Sequence, residues 1–450
     1  MVRVTDMTHG RPIRLILLFS LPLMLGSVFQ QLYTIVDTII IGRGVGMQAL
    51  ASIGAADWIN WLVLWGLQGF TQGFAILAAQ EFGAGAYDRL RRVLAMIVKL
   101  SCWFGIAVTI ISLLLVRPLL TLLHTDPAVF GGAQTYLYVQ FGGSLIIIAY
   151  NMAAAVLRCL GDSRTPLLAI LAASFANIAL DLLFVMGFGW GIFGASFATV
   201  LAQLIAFLLC LRSLRRLPFV QLTKADWKTD PAILLHLCRL GIPTGLQMSM
   251  ITLGGMVLQS VLNGFGVVFV AGYTAANKLY GILESASVAF GYAMTAYMGQ
   301  NRGARNAARI DAGIRAVLAL SAGFTAAIVT AMLLAGKPLL GLFLSTEEAG
   351  AADALAVAYQ YLMALMAFLF ALFVLQAYRS SLQGLGEMTV PTLSGFAEML
   401  MRMGAALVLP TFIGQSGVFF AEGAAWVCAA ALNLVWYYMR IGKIKRDMLK

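Results

Sequence analysis

Apolar residues run through the chain in long blocks set apart by short polar segments, with no strand-like alternation sustained over successive segments. A bilayer core of about 30 Å takes about 20 apolar residues of helix. Blocks of that length fall at about 13–41, 48–80, 92–116, 133–158, 164–187, 191–213, 234–263, 267–299, 310–335, 353–381, 390–412 and 417–440. They predict an all-α integral membrane protein with twelve transmembrane helices, the longer ones tilted or reaching past the membrane. A transmembrane β-barrel would need the alternation that is missing.

Composition agrees with the pattern: 61% of residues are hydrophobic and 11% charged, and the mean hydropathy is +0.89. A soluble domain carries roughly 25% charged residues, so lipid has to cover most of this surface. The net charge of +11 changes the picture only through its placement. Basic residues gather after every second apolar block: Arg89, Arg91 and Arg92; Arg158 and Arg164; Arg212, Arg215, Arg216, Lys224 and Lys228; Arg302, Arg305 and Arg309; Arg379; and Arg440, Lys443, Lys445, Arg446 and Lys450. The alternate connections carry only Arg43, Arg117 and Lys337. This positive-inside bias predicts a multi-pass plasma-membrane (cell inner membrane) protein with both termini in the cytoplasm. The basic balance marks topology, and no nucleic-acid partner is expected. The first apolar block continues past a signal-peptide core without a cleavage site, so no cleavable signal is expected. Five scattered cysteines and three histidines give neither a disulfide pattern nor a metal or haem ligand set, and no cofactor is expected.

Compared with itself at a shift of about 220 residues, the chain repeats. Leu21-Pro22 answers Ile242-Pro243, and Gln80-x-x-Gly83 answers Gln300-x-x-Gly303. Leu160-Gly161-Asp162 with Pro166 answers Leu385-Gly386-Glu387 with Pro391, and Gly191-Ile192-Phe193 answers Gly417-Val418-Phe419. Each repeat holds an even number of helices, so the two are parallel and related by an axis along the membrane normal. The expected organisation is an N-terminal six-helix lobe (1–213), a polar cytoplasmic linker (214–233) and a C-terminal six-helix lobe (234–450), with a cleft between lobes that can face either side of the membrane.

Ionisable residues at membrane depth are costly and point to function. Asp37 follows Pro22 by fifteen residues, and Asp181 follows Pro166 by the same interval, placing each about 22 Å along an outward-running helix. Thr199, eight residues after Gly191, lies about 12 Å below the outer surface. Asn177 and Asp181, spaced i, i+4, share a helix face. Two carboxylates, an amide oxygen and a hydroxyl can then converge, a set that either a proton or a cation with oxygen ligands makes tolerable. The second repeat lacks it: Asn177 maps to Arg402, Asp181 to Ala406 and Thr199 to Ala425. A one-sided polar set on a shared frame reads as function; its bland alternative is a satisfied structural network. Glu398 and Arg402, also i, i+4, read as mutual neutralisation. Gln68, Gln72, Gln247, Lys278 and Glu284 are candidate substrate contacts on a polar, Met-rich wall, where packing is the competing explanation.

The pattern resembles the multidrug and toxic compound extrusion (MATE) family over nearly the whole chain. The likeness rests on the 6+6 layout, Pro22 with Gln30-Gln31, Val36-Asp37-Thr38 and Gly42-Arg43. It rests further on Gln80-x-x-Gly83, Leu160-Gly161-Asp162 with Pro166, and Asn177-x-x-x-Asp181 with Thr199. It implies the two-lobed MATE bundle, export of amphipathic organic, often cationic, small molecules, and exchange for H+ or Na+ by alternating access, in a chain that works as a monomer among membrane lipids. The DinF-type branch implies a coupling-cation site at Asp37, Asn177, Asp181 and Thr199, with a tyrosine of the fourth block (Tyr136, or Tyr138) beside it; Gln30 joins Gln68, Gln72, Gln247, Lys278 and Glu284 as a candidate substrate contact. The NorM-type branch places acids in the seventh and tenth blocks; here those hold Gln247, Met248, Met250, Gln376 and Tyr378.

The alternative within the superfamily is a lipid-linked precursor flippase, which calls for a more cationic cavity than this sequence offers. A nucleotide-driven pump or membrane enzyme lacks its G-x-x-x-x-G-K loop and catalytic ligand sets, so no enzyme activity is expected. A passive channel would conduct without counter-ion exchange.

Overall fold

The computed structural model describes residues 4–344 and 350–449; Lys450, counted in the last basic group, lies outside them. The described residues form α-helices connected by short turns, with no strand among them. In chain order the helices are α1 (Pro12–Gly44), α2 (Met47–Gly83), α3 (Tyr87–Leu122), α4 (Pro127–Gly142), α5 (Ser144–Cys159), α6 (Arg164–Asp181) and α7 (Gly191–Arg215). They continue as α8 (Pro231–Asn263), α9 (Val267–Gly303), α10 (Ala307–Gly341), α11 (Ala351–Gly384), α12 (Thr389–Ile413) and α13 (Ala421–Leu449). Leu114, Val267 and Leu334 are 72%, 86% and 81% exposed, as expected of side chains that meet lipid rather than water.

The twelve apolar blocks each become a helix or a broken helix. Block four breaks into α4 and α5, bent by 50° at Gly143, where an added Cβ would sit 2.5 Å from Val200 of α7. The break lets α7 pass close to the backbone. Block five is α6 followed by a π-helical turn, Leu182–Gly187, that begins directly after Asp181. Among the described residues, ten helices are long and apolar enough to cross a membrane, and the bent pair makes eleven. The remaining block is α9, which interleaves Ser, Gly, Tyr and Thr with its apolar residues; its stretch from Ser285 to Asn301 is almost wholly buried. A helix sheltered by its neighbours, chiefly α11, needs less apolar surface than one facing lipid.

The chain divides into two compact units, and two of their three borders fall inside helices. One unit takes the residues up to Asp6 and Leu21–Gly245, the other Met7–Ser20 and everything from Leu246 onward. The start of α1 therefore belongs with the second repeat and the start of α8 with the first. Both borders lie within three residues of a helix proline, Pro22 or Pro243, which removes one backbone hydrogen bond and bends the helix.

In the first unit, Ala56, Ile59, Val116, Leu120, Ala133, Leu137 and Phe141 form one core. Ala75, Ala79, Ala155 and Cys159 let α2 and α5 meet closely, small-residue packing of the kind that joins helices in membranes. Segment 214–233 docks on α3 of this unit, where Arg91 faces Asp226 at 3.6 Å and Lys99 Nζ donates to Thr229 Oγ1 at 2.9 Å. In the second unit, Met7 is fully buried; its N–H donates to Gln300 Oε1 at 2.8 Å, and its carbonyl accepts from Asn301 and Arg309.

The internal repeat extends to turn geometry. Left-handed backbone recurs at Gly46 and Gly266, at Gly85 and Arg305, and at Gly161 and Gly386. Arg89 pairs with Glu81 at 3.0 Å, and Arg309 Nε donates to Asn301 Oδ1 at the same distance, at positions 220 residues apart.

Candidate functional site

Three helices of the first unit each present polar residues one turn apart. On α1 they are Tyr33 and Asp37, on α6 Asn177 and Asp181 (with Ser174 one turn earlier), and on α7 Thr199 and Gln203. The i, i+4 spacing stacks each pair on one face. A cavity of about 40 Å³ opens among these helices and α5, with Gln30, Tyr33, Tyr150, Ser174, Asn177, Thr199 and Gln203 along its wall. That volume holds a few waters or one small ion.

Asp37 and Asp181 continue the wall one turn beyond Tyr33 and Asn177, and their carboxyl groups lie within hydrogen-bonding reach of each other. Asp181 is fully buried and Asn177 is 1% exposed. Among the described residues, neither oxygen of Asp181, neither polar atom of the Asn177 amide, nor Oδ1 of Asp37 has a hydrogen-bond partner. Buried carboxylates are ordinarily paired. Two that face one another without a donor are balanced only by a shared proton or by a cation. Thr199 and Ser174 give their hydroxyl hydrogens to Ala195 O (3.2 Å) and Ile170 O (2.9 Å) of their own helices, leaving lone pairs free to face outward.

Tyr136 stands at the edge of this group. Asn60 Nδ2 donates to its hydroxyl at 3.3 Å, and both Asp37 and Asp57 act on it electrostatically. Tyr138, two residues on, is 37% exposed. The structure thus gathers Asp37, Asn177, Asp181, Thr199, Tyr136 and Gln30 in one unit. Sequence alone does not single out Tyr33, Tyr150, Ser174 and Gln203 of this wall. Two of these carried a signal, since Tyr33 precedes Asp37 by four and Gln203 follows Thr199 by four.

The remaining candidates lie elsewhere. Gln68 and Gln72 are half-buried on α2, and Lys278 is exposed on α9. Gln247 is fully buried, and its Oε1 accepts from Gln383 Nε2 at 2.9 Å within the second unit. Glu284 is half-buried, in reach of the Tyr280 hydroxyl.

The second unit holds a charge network. Glu398 takes Arg379 Nη2 at 2.6 Å and Arg402 Nη2 at 3.1 Å, and Arg402 also reaches Glu422 at 2.8 Å. Arg402 Nη1 caps the carbonyl of Ile251 at 3.0 Å. The sequence foresaw the Glu398–Arg402 pair; Arg379 and Glu422 complete it to two acids and two bases. Each acid here faces a guanidinium, unlike Asp37 and Asp181.

Known proteins resemble this chain in sequence and in fold. The MatE family model matches residues 22–183 and 243–408. The probable multidrug resistance protein YpnP of Bacillus subtilis is 32% identical, over 99% of this chain and 98% of that protein. The multidrug export protein MepA of Staphylococcus saprophyticus is 22% identical, over 94% and 93%. Among solved structures, a MOP superfamily transporter from Pyrococcus furiosus superposes with a TM-score of 0.91 at 25% identity, covering 98% of this chain and 99% of that one. A crystal structure of MATE in complex with MaL6 shares the fold at a TM-score of 0.91 and 24% identity, over 99% and 100%. With its two repeats matched and its helices superposed end to end, this membrane transporter belongs to the MatE family.

Proposed function

We propose that the chain is a secondary active multidrug exporter that expels amphipathic organic compounds, many of them cationic, in exchange for H+ or Na+. The observation that carries this reading is the Asp37–Asp181 pair beside a small polar cavity: Asp181 is fully buried and Asp37 half-buried, and both oxygens of Asp181 and Oδ1 of Asp37 lack a donor. Relatives named for multidrug resistance and export support it. The site lies in the first unit, as the DinF-type resemblance implies.

The cycle follows from electrostatics. With the pair uncompensated, the cavity is a negative field that attracts an organic cation. When a proton or sodium ion enters from the outer side, it balances the carboxylates and weakens that attraction, and the organic cation leaves. The emptied cavity then turns to the cytoplasm and releases the coupling ion there. A ligand can shift an equilibrium only by its differential affinity for the two states, so both guests must compete for the same charge.

The test is efflux of a fluorescent amphipathic cation from proteoliposomes under an imposed proton or sodium gradient. Asp37→Asn and Asp181→Asn are each expected to abolish gradient-driven efflux. Undiminished coupled efflux in both variants would refute the reading, and the gradient that drives the wild type names the ion.

A further inference from the structure

Asp57 of α2 is a third acid beside Asp37 and Asp181. α1 and α2 are joined by the short turn at Val45 and Gly46, so they run antiparallel. They pack closely: a Cβ on Gly42 would stand 2.9 Å from Leu50, and Val36 and Ile53 belong to one core. Leu50, Ile53 and Asp57, spaced three and then four apart, lie on one stripe of α2. Asp57 is seven residues beyond Leu50, and seven residues back from Gly42 is Ile35, between Tyr33 and Asp37. Both helices rise equally per residue, so Asp57 comes level with the turn of α1 that carries Tyr33 and Asp37. Asp37 acts on it electrostatically, and among the described residues no cation does. On the other flank stands Tyr136, packed against the core of Ala56 and Ile59 and held by Asn60 Nδ2 at 3.3 Å.

This stripe is accessible. Asp57 is half-buried, ten residues into α2, about 15 Å from its start. At that depth a carboxylate does not face hydrocarbon, so its open side meets water or a guest. Trp61, one turn on along the same face, is 45% exposed, and its ring meets that of Trp58 edge-on at 5.3 Å. Tryptophans that anchor a helix at the membrane boundary sit near its ends, whereas Trp61 lies about 21 Å along α2. An open indole one turn from an uncompensated carboxylate suits a weakly hydrated organic cation, which takes the ring's negative face and the counter-charge together.

We propose that Asp57 and Trp61 form a recognition site for the charged head of a quaternary or delocalised organic cation, lodged between Asp57 and Asp37. Such a head draws on the same Asp37 charge that the coupling ion neutralises, so filling the Asp37–Asp181 pair loosens it. The inference rests on the exporter reading for its meaning in transport, but the binding it describes is measurable without any gradient.

The experiment uses two probes of nearly the same shape that differ in charge, methyltriphenylphosphonium and neutral triphenylphosphine oxide. Their affinities for the purified full chain are measured by equilibrium dialysis in detergent, and the readout is the ratio of the two, cation over oxide, compared between variants. Asp57→Asn is expected to lower that ratio about tenfold, as for the loss of one charged partner. Trp61→Leu, which keeps apolar bulk and removes the ring, should lower it about threefold. Asp57→Glu, which keeps the charge, should retain it. An unchanged ratio in either Asp57→Asn or Trp61→Leu overturns the proposal. So does a loss that Asp57→Glu shares in full, which would make Asp57 a structural residue. Should one of the first two variants not fold, the other decides by the same criterion. The exporter reading fails by a different signature: efflux of methyltriphenylphosphonium that no ion gradient drives, with the binding ratios as expected.

Discussion

At the scale of single residues, Asp37 and Asp181 form a unit rather than two independent sites, since each oxygen's surroundings depend on the other's charge. Removing either carboxylate dissolves the competition on which exchange depends. In binding of a fluorescent organic cation to the purified protein, the double variant Asp37→Asn with Asp181→Asn is therefore expected to lose no more affinity than the worse single one, a non-additivity typical of groups that act together. Affinity losses that multiplied, each substitution adding its own, would show two separate sites. Part of this site was legible in the sequence because acids in apolar helices announce themselves and i, i+4 spacing fixes a shared face. The amides and hydroxyls were less legible. A glutamine such as Gln203 sits on a helix surface in many proteins, and only its packing against α6 separates it from Gln72 or Gln68. Glu398 shows the converse: an acid as conspicuous as Asp181 in the sequence is spent on two arginines in the fold.

At the scale of elements, the motif Leu160-Gly161-Asp162 is a turn. Gly161 has φ +89°, and a Cβ there would stand 2.1 Å from the carbonyl oxygen of Thr5. Asp162 Oδ1 accepts from the N–H groups of Arg164 and Thr165, both at 3.0 Å, capping α6, the helix that carries Asn177 and Asp181. Gly161→Ala combines left-handed strain of roughly 1–2 kcal/mol with that clash. It is expected to lower the melting temperature in detergent clearly, and a melt matching the wild type would count against the turn's role. In the second unit, Glu398→Gln takes from Arg379 the carboxylate it pairs with and leaves Arg402 with Glu422; breaking such a network costs about 3–5 kcal/mol. Thermal unfolding should register that loss, whereas retained stability would mean that Glu422 alone suffices for Arg402. Hydropathy located every helix but not the break at Gly143 or the π-helical turn after Asp181. Both depend on how closely α7 approaches, information that no window of neighbouring residues contains.

At the scale of the whole molecule, the repeat was visible in four short motifs, and the folded chain repeats them down to backbone handedness at paired turns. What the repeat could not show is where one compact unit stops. The motif spacing suggests a division in the polar segment 214–233, yet the packing exchanges the opening stretch of each six-helix series: Met7–Ser20 sits in the second unit, and the stretch of α8 up to Gly245 in the first. Each half of the gene product is thus a donor to its sibling. Severing the polypeptide within 217–230 would give two fragments that both miss a structural piece and both carry one that has lost its host. Either fragment made alone is expected to be degraded in cells, while the two made together should rescue each other and restore efflux; stable accumulation of a solitary fragment would contradict this. The covalent link then keeps together two halves, each of which supplies a segment packed in the other's unit.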